Sequence, residues 1–312
     1  MKRFFLLCAV ALAIGNLNPV QTFAQKLFVG TYNVRYHNHD DELEGNGWGQ
    51  RVGVICGQVN FEDPDIFGTQ EVLHDQLLDL KAGLDGYDYI GVGRDDGKED
   101  GEYAAIWYKT DRIELLRNGN FWLSETPEKP ALGWDAACVR ICTWGEFRQK
   151  DTGFKFYYFN LHMDHVGVVA RREAAKLVVK KIPEIAGNDP AILTGDFNVD
   201  QKDEIYGIFT GSGVLKDSYI ATKQRFCENG TFNDFDPNIK TDSRIDHIFV
   251  SPAFVVDRYA VMSNGYWTEV ADSKEQKSNA APQEISIKKH QFRPASDHYP
   301  VWAKIHFEKK SK

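Results

Sequence analysis

Several apolar runs in this chain stop abruptly on an acid, an amide or an imidazole, and that shared ending constrains the fold more than any other feature. Ala191-Ile192-Leu193-Thr194-Gly195 gives way to Asp196-Phe197-Asn198, and Phe159-Asn160-Leu161 gives way to His162. Thr31-Tyr32 is followed by Asn33, Ile66-Phe67-Gly68-Thr69-Gln70 by Glu71, and Ser296-Asp297-His298 stands directly before Tyr299-Pro300-Val301. Side chains alternate along a strand, so Asp196 and Asn198, two residues apart, are expected on one face. Gly195 leaves room for another group to approach the backbone there. With Asp246, in Arg244-Ile245-Asp246-His247, these residues read as one polar floor over an apolar sandwich.

The remaining pattern agrees. Strand-like runs recur at 27–32, 66–69, 104–108, 154–161, 191–194, 245–250 and 300–306. Helix-like segments fall between some of them at 48–61, 73–84 and 166–185, the last with Leu177, Val178, Ile182 and Ile185 at helical spacing and Pro183 near its end. Strands alternating with helices and hairpins predict an α/β sandwich with helices outside. Of 312 residues, 42% are hydrophobic, enough for one large core. No repeat or linker divides the chain, and the polar stretch 263–290 reads as a mobile loop.

Met1-Lys2-Arg3, the apolar run from Phe4 to Ile14 and the small residue at Ala24 read as a secretory signal over 1–24, leaving one domain over 25–312. The apolar run is too short for a membrane anchor, and Cys8 lies inside it rather than after it, which argues against a lipoprotein. An exported protein, periplasmic or extracellular, without stable membrane insertion and acting as a monomer is expected. The formal charge of −8 becomes −10 once Lys2 and Arg3 leave, which excludes a protein that grips nucleic acid by blanket positive charge. A nuclease with local arginines stays open. Cys56, Cys138, Cys142 and Cys227 remain. Cys138 and Cys142 read as lying on one strand, where four residues span roughly 13 Å, too far for a disulfide. No spacing suggests zinc, and the cysteines are read as structural or free.

The polar floor carries its own chemistry. Glu71 offers a hard divalent cation a carboxylate, although Gln70-Glu71 by itself also reads as a helix cap. Asn33 is suited to orienting a phosphoryl oxygen or a ligating carboxylate, and equally to a turn. His162 can donate to a phosphate oxygen and stabilise developing charge, with Glu102 as its inferred carboxylate partner. Asp297 and His298, being adjacent, are expected to point to opposite sides, one toward a metal and the other toward the scissile phosphate. Asp246 is placed to orient His298 as an acid–imidazole dyad.

Thr31-Tyr32-Asn33, Gln70-Glu71-Val72, Leu161-His162-Met163-Asp164-His165, Gly195-Asp196-Phe197-Asn198, Arg244-Ile245-Asp246-His247 and Ser296-Asp297-His298 together resemble the endonuclease/exonuclease/phosphatase superfamily, in that family's order, from Leu27 to Phe307. The resemblance implies a four-layer α/β sandwich, two packed mixed β-sheets flanked by helices. It implies Mg²⁺ (or Mn²⁺) at Glu71 with Asn33 and Asp297 nearby. It also implies that Asp196 positions or deprotonates the attacking water, that Asn198 and His162 hold phosphate oxygens, and that Asp246 backs His298. Arg140 is expected on a strand where relatives place a phosphate-contacting arginine.

The expected enzyme is an exported metal-dependent phosphodiesterase cleaving P–O bonds by in-line attack of water. Trp48-Gly49-Gln50-Arg51 and Ala105-Ile106-Trp107-Tyr108-Lys109 resemble the deadenylase-like branch. The favoured substrate is therefore nucleic acid or a nucleotide, with 3'-5' exoribonuclease-like activity in view. Arg140, Arg171 and Arg244 are the expected phosphate contacts, and Trp107 or Trp122 a stacking surface. Small phosphate esters and sphingomyelinase-like phospholipid hydrolysis are the alternatives. A non-catalytic binding module of the same fold is the rival from another class, and the presence of Glu71, Asp196 and His298 argues against it.

Overall fold

The run of alternating aromatics at 156–161 forms the strand on which the rest is hung. Tyr157, Phe159 and Leu161 pack to one side with helix residues, while Phe156 and Tyr158 pack to the other against strand residues. A strand buried on both faces belongs in the middle of a layered structure. The computed structural model describes residues 25–308. The expected signal peptide over 1–24 lies outside the described residues.

In chain order the elements are β1 (Gln25–Asn33), α1 (His39–Leu43), α2 (Trp48–Glu62), β2 (Ile66–Gln70), α3 (His74–Gly83), β3 (Tyr87–Ile90), β4 (Ile106–Lys109), β5 (Ile113–Trp122), β6 (Ile141–Gln149), β7 (Lys155–His162) and α4 (Val168–Ala186). Then follow β8 (Ala191–Asp196), α5 (Glu204–Thr210), β9 (Lys216–Asp217), α6 (Ser218–Ala221), β10 (Arg225–Phe226), β11 (Asp246–Val250), β12 (Phe254–Val261), β13 (Gly265–Glu269), β14 (His290–Pro294) and β15 (Val301–Phe307). One mixed sheet runs β10-β12-β15-β1-β2-β4-β3 and the other β5-β6-β7-β8-β11-β9.

Their inner faces share one core, in which Val29, Ile66, Ile106 and Ile305 meet Phe156, Tyr158, Ile192 and Ile248. Outside the first sheet, Ile55, Val59, Leu77 and Leu80 of α2 and α3 pack on Phe67, Trp107 and Trp302. Outside the second, Ala174, Ala175, Val178 and Ile182 of α4 pack on Phe159, Leu161, Leu193 and Phe249. The result is the expected four-layer sandwich, and among the described residues no helix is long and apolar enough to cross a membrane.

A polar bridge crosses the apolar interior just beneath the site. The Asn160 amide donates to the carbonyls of Thr69 and Ala105 on the opposite sheet, at 2.9 Å each, and its oxygen accepts from Gln70 Nε2 at 2.7 Å and Thr194 Oγ1 at 3.1 Å. Gly68 makes room for it, since a Cβ there would lie 2.2 Å from Asn160 Oδ1.

The structure revises three sequence expectations. Strand β6 begins at Ile141, so Cys138 and Arg140 precede it in irregular chain and only Cys142 lies on it. All four described cysteines are free. The stretch 263–290 is not all loop, because β13 and β14 pair as an antiparallel hairpin across it. Strands β5 and β12 escaped the periodicity reading because polar residues interrupt them; β5 carries Glu114, Arg117, Asn118 and Asn120.

Gly195 occupies φ +151°, and a Cβ there would stand 2.1 Å from the carbonyl oxygen of Leu161 on β7. Gly195→Ala is expected to destabilise the fold by about 2–4 kcal/mol through this clash and backbone strain. Chemical denaturation checks it, and a loss within error of zero would show that β7 and β8 can separate at that point.

Candidate active site

Strand pairing brings the polar strand ends together. His162 pairs with Asp196 across the parallel β7–β8 ladder, Asp246 pairs with Asp196 across β11–β8, and Asn33 pairs with Gln70 across β1–β2. Asp297 and His298 lie just before β15, whose neighbour is β1. All of them therefore sit at one end of the sandwich, around a cleft of about 450 Å³ lined by Glu71, Arg94, Arg140, His162, Asp196 and His298, among others.

Asp196 is the centre. Its Oδ2 accepts from Asn33 Nδ2 at 3.1 Å and lies 3.6 Å from His162 Nε2 and 3.7 Å from His298 Nε2. Its Oδ1 accepts the Asn198 backbone N–H at 2.9 Å, a local turn that puts Asn198 in the left-handed region at φ +48° and aims its amide at Met163 O, within 3.3 Å of His162 Nε2. Burial raises the Asp196 carboxyl above its ordinary range, and the Asp246 charge adds to this. His298 Nδ1 donates to Asp246 Oδ2 at 2.8 Å. Burial opposes charge on His298, but Asp246 and Asp196 outweigh it, and its pKa is raised well above the ordinary imidazole value.

His162 is driven the other way. Burial, and next the nearby Arg140 charge, lower its pKa to about 3, so the ring is neutral at ordinary pH. Its Nδ1 lies 3.5 Å from Glu102 Oε2, the expected partner, and Glu102 is also tied to Arg94 Nη1 at 2.5 Å.

On the metal side, Glu71 stands at φ +63° just past β2, with Oε1 held by Asn33 Nδ2 at 2.9 Å and Oε2 by the Tyr36 N–H at 3.2 Å. Asn33 Oδ1 accepts from the Arg35 N–H at 3.0 Å, so Asn33 orients Glu71 and Asp196 rather than offering a free oxygen. Glu71, Asp196 and His298 each bring a ligand atom within 4.8 Å of the others. Asp297 is pushed up to about 6 by burial, with the Glu71 charge adding to the rise and His298, Arg35 and Arg51 opposing it. Clustered oxygen donors at buried carboxylates of this kind fit a hard divalent cation. Arg51, fully buried, stitches the walls by donating to Asn46 O, Val34 O, Arg35 O and Ala295 O.

Not every expected contact arrives. Arg171 lies on α4 and donates to the Asp164 carbonyl at 2.9 Å, and it does not line the cleft. Arg244 lies 3.9 Å over the Tyr219 ring and 3.1 Å from Asp217 Oδ2, in the wall of a separate cavity of about 730 Å³. Trp107 and Trp122 are buried, their indole N–H groups donating to Thr69 Oγ1 and Arg94 O, so neither offers a face for stacking. Conversely, Arg35, Tyr36, Arg94 and Phe232 line the cleft without having been singled out. Arg35 had a signal in its position two residues beyond Asn33. Arg94 had none.

Asp164 was quoted within a motif and assigned no role, yet it organises one wall. Its Oδ2 accepts from the backbone N–H groups of Ala137 and Cys138 at 3.1 Å each and from Arg140 Nε at 3.3 Å, while Oδ1 accepts from Val166 and Gly167 at 2.9 and 2.7 Å. That arrangement presents Arg140 to the cleft beside His162.

The chain belongs to the Endonuclease/Exonuclease/phosphatase family, whose profile matches residues 30–298. Its members hydrolyse phosphoester bonds with the help of a divalent metal, and this protein is such a phosphoesterase. Among solved structures it is similar to an endonuclease/exonuclease/phosphatase family protein from Bacteroides thetaiotaomicron, at 50% identity and TM-score 0.85, over 92% of this chain and 100% of that one. It is also similar to a mannosyl-6-phosphatase from Bacteroides thetaiotaomicron VPI-5482, at 52% identity and TM-score 0.80, over 90% of this chain and 100% of that one. Nocturnin of Drosophila melanogaster is 24% identical over 180 residues, 54% of this chain and 27% of that protein. The matches take in between 27% and 60% of the length of the curated relatives.

Burial raises the Asp164 carboxyl, but the N–H groups of Gly167, Val166 and Ala137 and the Arg140 charge outweigh it and hold it far below the usual range. A depressed pKa contributes stability that is present above the unfolded value of about 4 and is lost as pH falls toward the folded one. Asp164→Asn is expected to cost about 3 kcal/mol, because it strands Arg140 in a buried site, and to flatten the fall in Tm below about pH 4. Thermal melts of both proteins from neutral to acid pH check it; identical profiles would remove Asp164 from this role.

Proposed function

We propose that this enzyme is an exported Mg²⁺- or Mn²⁺-dependent phosphomonoesterase acting on sugar 6-phosphates, with mannosyl 6-phosphate as the preferred group. The observation that carries the reading is the likeness to the mannosyl-6-phosphatase, at 52% identity across the whole of that chain. The cleft supports it. Arg35, Arg94 and Arg140 line it, each oriented by a carboxylate, Asp41, Glu102 and Asp164 in turn, and their guanidinium N–H groups are of the kind that bind phosphate oxygens. The nucleic-acid substrate favoured by the sequence loses Arg171, Arg244, Trp107 and Trp122, the contacts on which it leaned. The signal-like segment over 1–24 supports export, and N-terminal sequencing of the mature enzyme should begin at Gln25.

Each side chain then has a task. Asp196, made more basic by burial, holds the attacking water and takes its proton. Neutral His162 and the Asn198 amide donate to phosphoryl oxygens, and Arg140 meets a third. His298, held protonated by Asp246, faces the charge that develops as the P–O bond to the sugar breaks. Glu71, oriented by Asn33, and Asp297 would hold the cation, and its charge would offset that on the phosphoryl oxygens.

Mannose 6-phosphate, p-nitrophenyl phosphate, bis-p-nitrophenyl phosphate and single-stranded RNA should be compared with Mg²⁺ present. The highest kcat/KM is expected on mannose 6-phosphate, with release of inorganic phosphate; faster turnover of RNA would overturn the reading. EDTA should abolish activity and Mg²⁺ or Mn²⁺ restore it, and full turnover by a metal-stripped sample would remove the cation from the scheme.

Asp196→Asn and His298→Ala should each lower kcat by roughly 10²–10⁴-fold, the usual worth of a general acid or base. Circular dichroism should show both variants folded. Near-normal turnover in His298→Ala would displace the Asp246–His298 pair from the chemistry.

A further inference from the structure

Three residues along the chain from Phe232, which lines the catalytic cleft, begins the wall of a further cavity of about 460 Å³, lined by Phe235, Asp236, Pro237, Asn238, Gln291 and Phe292. Its two sides are anchored to the catalytic floor. On one side, Phe232 packs edge-on against His298 with ring centroids 5.2 Å apart, and the Asn233 N–H donates to the Asp297 carbonyl at 2.7 Å. The chain then turns through two left-handed residues, Asp234 at φ +51° and Phe235 at φ +56°. That conformation is rare for a bulky side chain, and here it places the Phe235 ring under the Arg51 guanidinium, 5.3 Å away. On the other side, β14 is tied down by Arg293, whose Nη1 donates to Asn46 Oδ1 at 2.9 Å and Glu44 O at 3.2 Å. Asn46 in turn accepts from Arg51 through its carbonyl. Both walls are therefore tied to Arg51, and the first to Asp297 as well.

The chemistry of the lining selects a ligand class. It offers two aromatic rings, two amides and one carboxylate, and it contains no lysine or arginine. An anion has no partner there and meets Asp236, so the cavity is not a second phosphate site or a track for a nucleic-acid backbone. The Asn238 amide donates to Asp236 Oδ1 at 3.0 Å, so the polar groups on that wall are held in place. Phe292 packs against Trp267 of β13 with centroids 5.1 Å apart, and Trp267 is 65% exposed, which extends the apolar surface outward. Flat apolar rings beside fixed hydrogen-bonding groups match a pyranose, with C–H faces to stack and hydroxyls at its edge to pair.

We propose that this cavity is a subsite for the neutral sugar residues to which the phosphorylated sugar is linked, so that the enzyme acts on phosphorylated oligosaccharides in preference to free sugar phosphates. The proposal rests on the sugar-phosphate reading of the catalytic cleft and deepens it.

The test uses the full chain with Mg²⁺, and compares mannose 6-phosphate with a mannotriose carrying one 6-phosphate. Wild-type kcat/KM should be about tenfold higher on the trisaccharide, which corresponds to about 1.4 kcal/mol of added binding. Phe292→Ala and the double variant Asn238→Ala/Gln291→Ala should erase that advantage through KM while keeping turnover of mannose 6-phosphate. Equal kcat/KM on the two substrates in the wild type, or an unchanged ratio in the variants, overturns the subsite. Calorimetric titration with unphosphorylated mannotriose separates this idea from the catalytic reading. Binding to the wild type that is lost in Phe292→Ala supports the subsite even if no sugar phosphate is hydrolysed. Absence of such binding overturns it even if mannose 6-phosphate proves a good substrate.

Discussion

The geometry of the site rests on Asn160. Two sheets joined only by apolar contact could slide by a fraction of an ångström at little cost, because dispersion is non-directional. The Asn160 amide, buried between them, removes that freedom by tying β7 to Thr69 on β2 and to Ala105 just ahead of β4, while its oxygen gathers Gln70 and Thr194. Each of these bonds is directional, and leaving any partner unpaired would cost about 1–3 kcal/mol. Glu71 is the residue after Gln70, and His162 and Asp196 stand two residues beyond Asn160 and Thr194. The bridge thus sets the distance between the metal side and the phosphate side of the cleft.

Above that bridge, electrostatics are arranged against stability. Asp196, Asp246 and Asp297 are all buried within one constellation, which a protein tolerates only where charges are paired or a cation is held. The two histidines show how environment divides roles between identical side chains. His298 lies between Asp246 and Asp196, which outweigh its burial and raise its pKa, while burial, with Arg140 nearby adding to it, lowers that of His162. One imidazole is thereby a fixed cation and the other a neutral donor, within reach of the same aspartate.

Much of this was legible because strand ends announce themselves. A single apolar run that closes on Asp, Asn or His has ordinary structural readings, a turn or a helix cap among them, but several such endings in one chain point to a shared site, and pairing places them side by side whatever the loops between them. Hence Asn33, Glu71, His162, Asp196, Asp246 and His298 were singled out without coordinates, and the structure gathers them at one end of the sandwich, whose four layers the family resemblance implied. The arginines were not legible. A guanidinium is useful to a core as well as to a phosphate, and only partners decide which. Arg244 is claimed by Asp217 and Tyr219, and Arg171 by the Asp164 carbonyl, whereas Arg94 reaches the cleft from a turn-rich segment with no periodicity. Trp107 and Trp122 misled for a related reason, since an indole with a buried acceptor is a core residue and the sequence does not display the acceptor. Cys138 and Arg140 were assigned to a strand that begins only at Ile141.

The place of β15 in its sheet has a consequence for how the enzyme comes into being. Strand β15 lies between β12 and β1, and Ser296 just before it donates to the Asn33 carbonyl across 263 residues of sequence. A growing chain can set His162 beside Asp196 early, from neighbouring strands. It has no Asp297, no His298 and no Ser296 hydrogen bond to the Asn33 carbonyl until β15 slots into the gap. Competence therefore waits on β15, and the contact that completes the active site cannot form until long after β1 has been made.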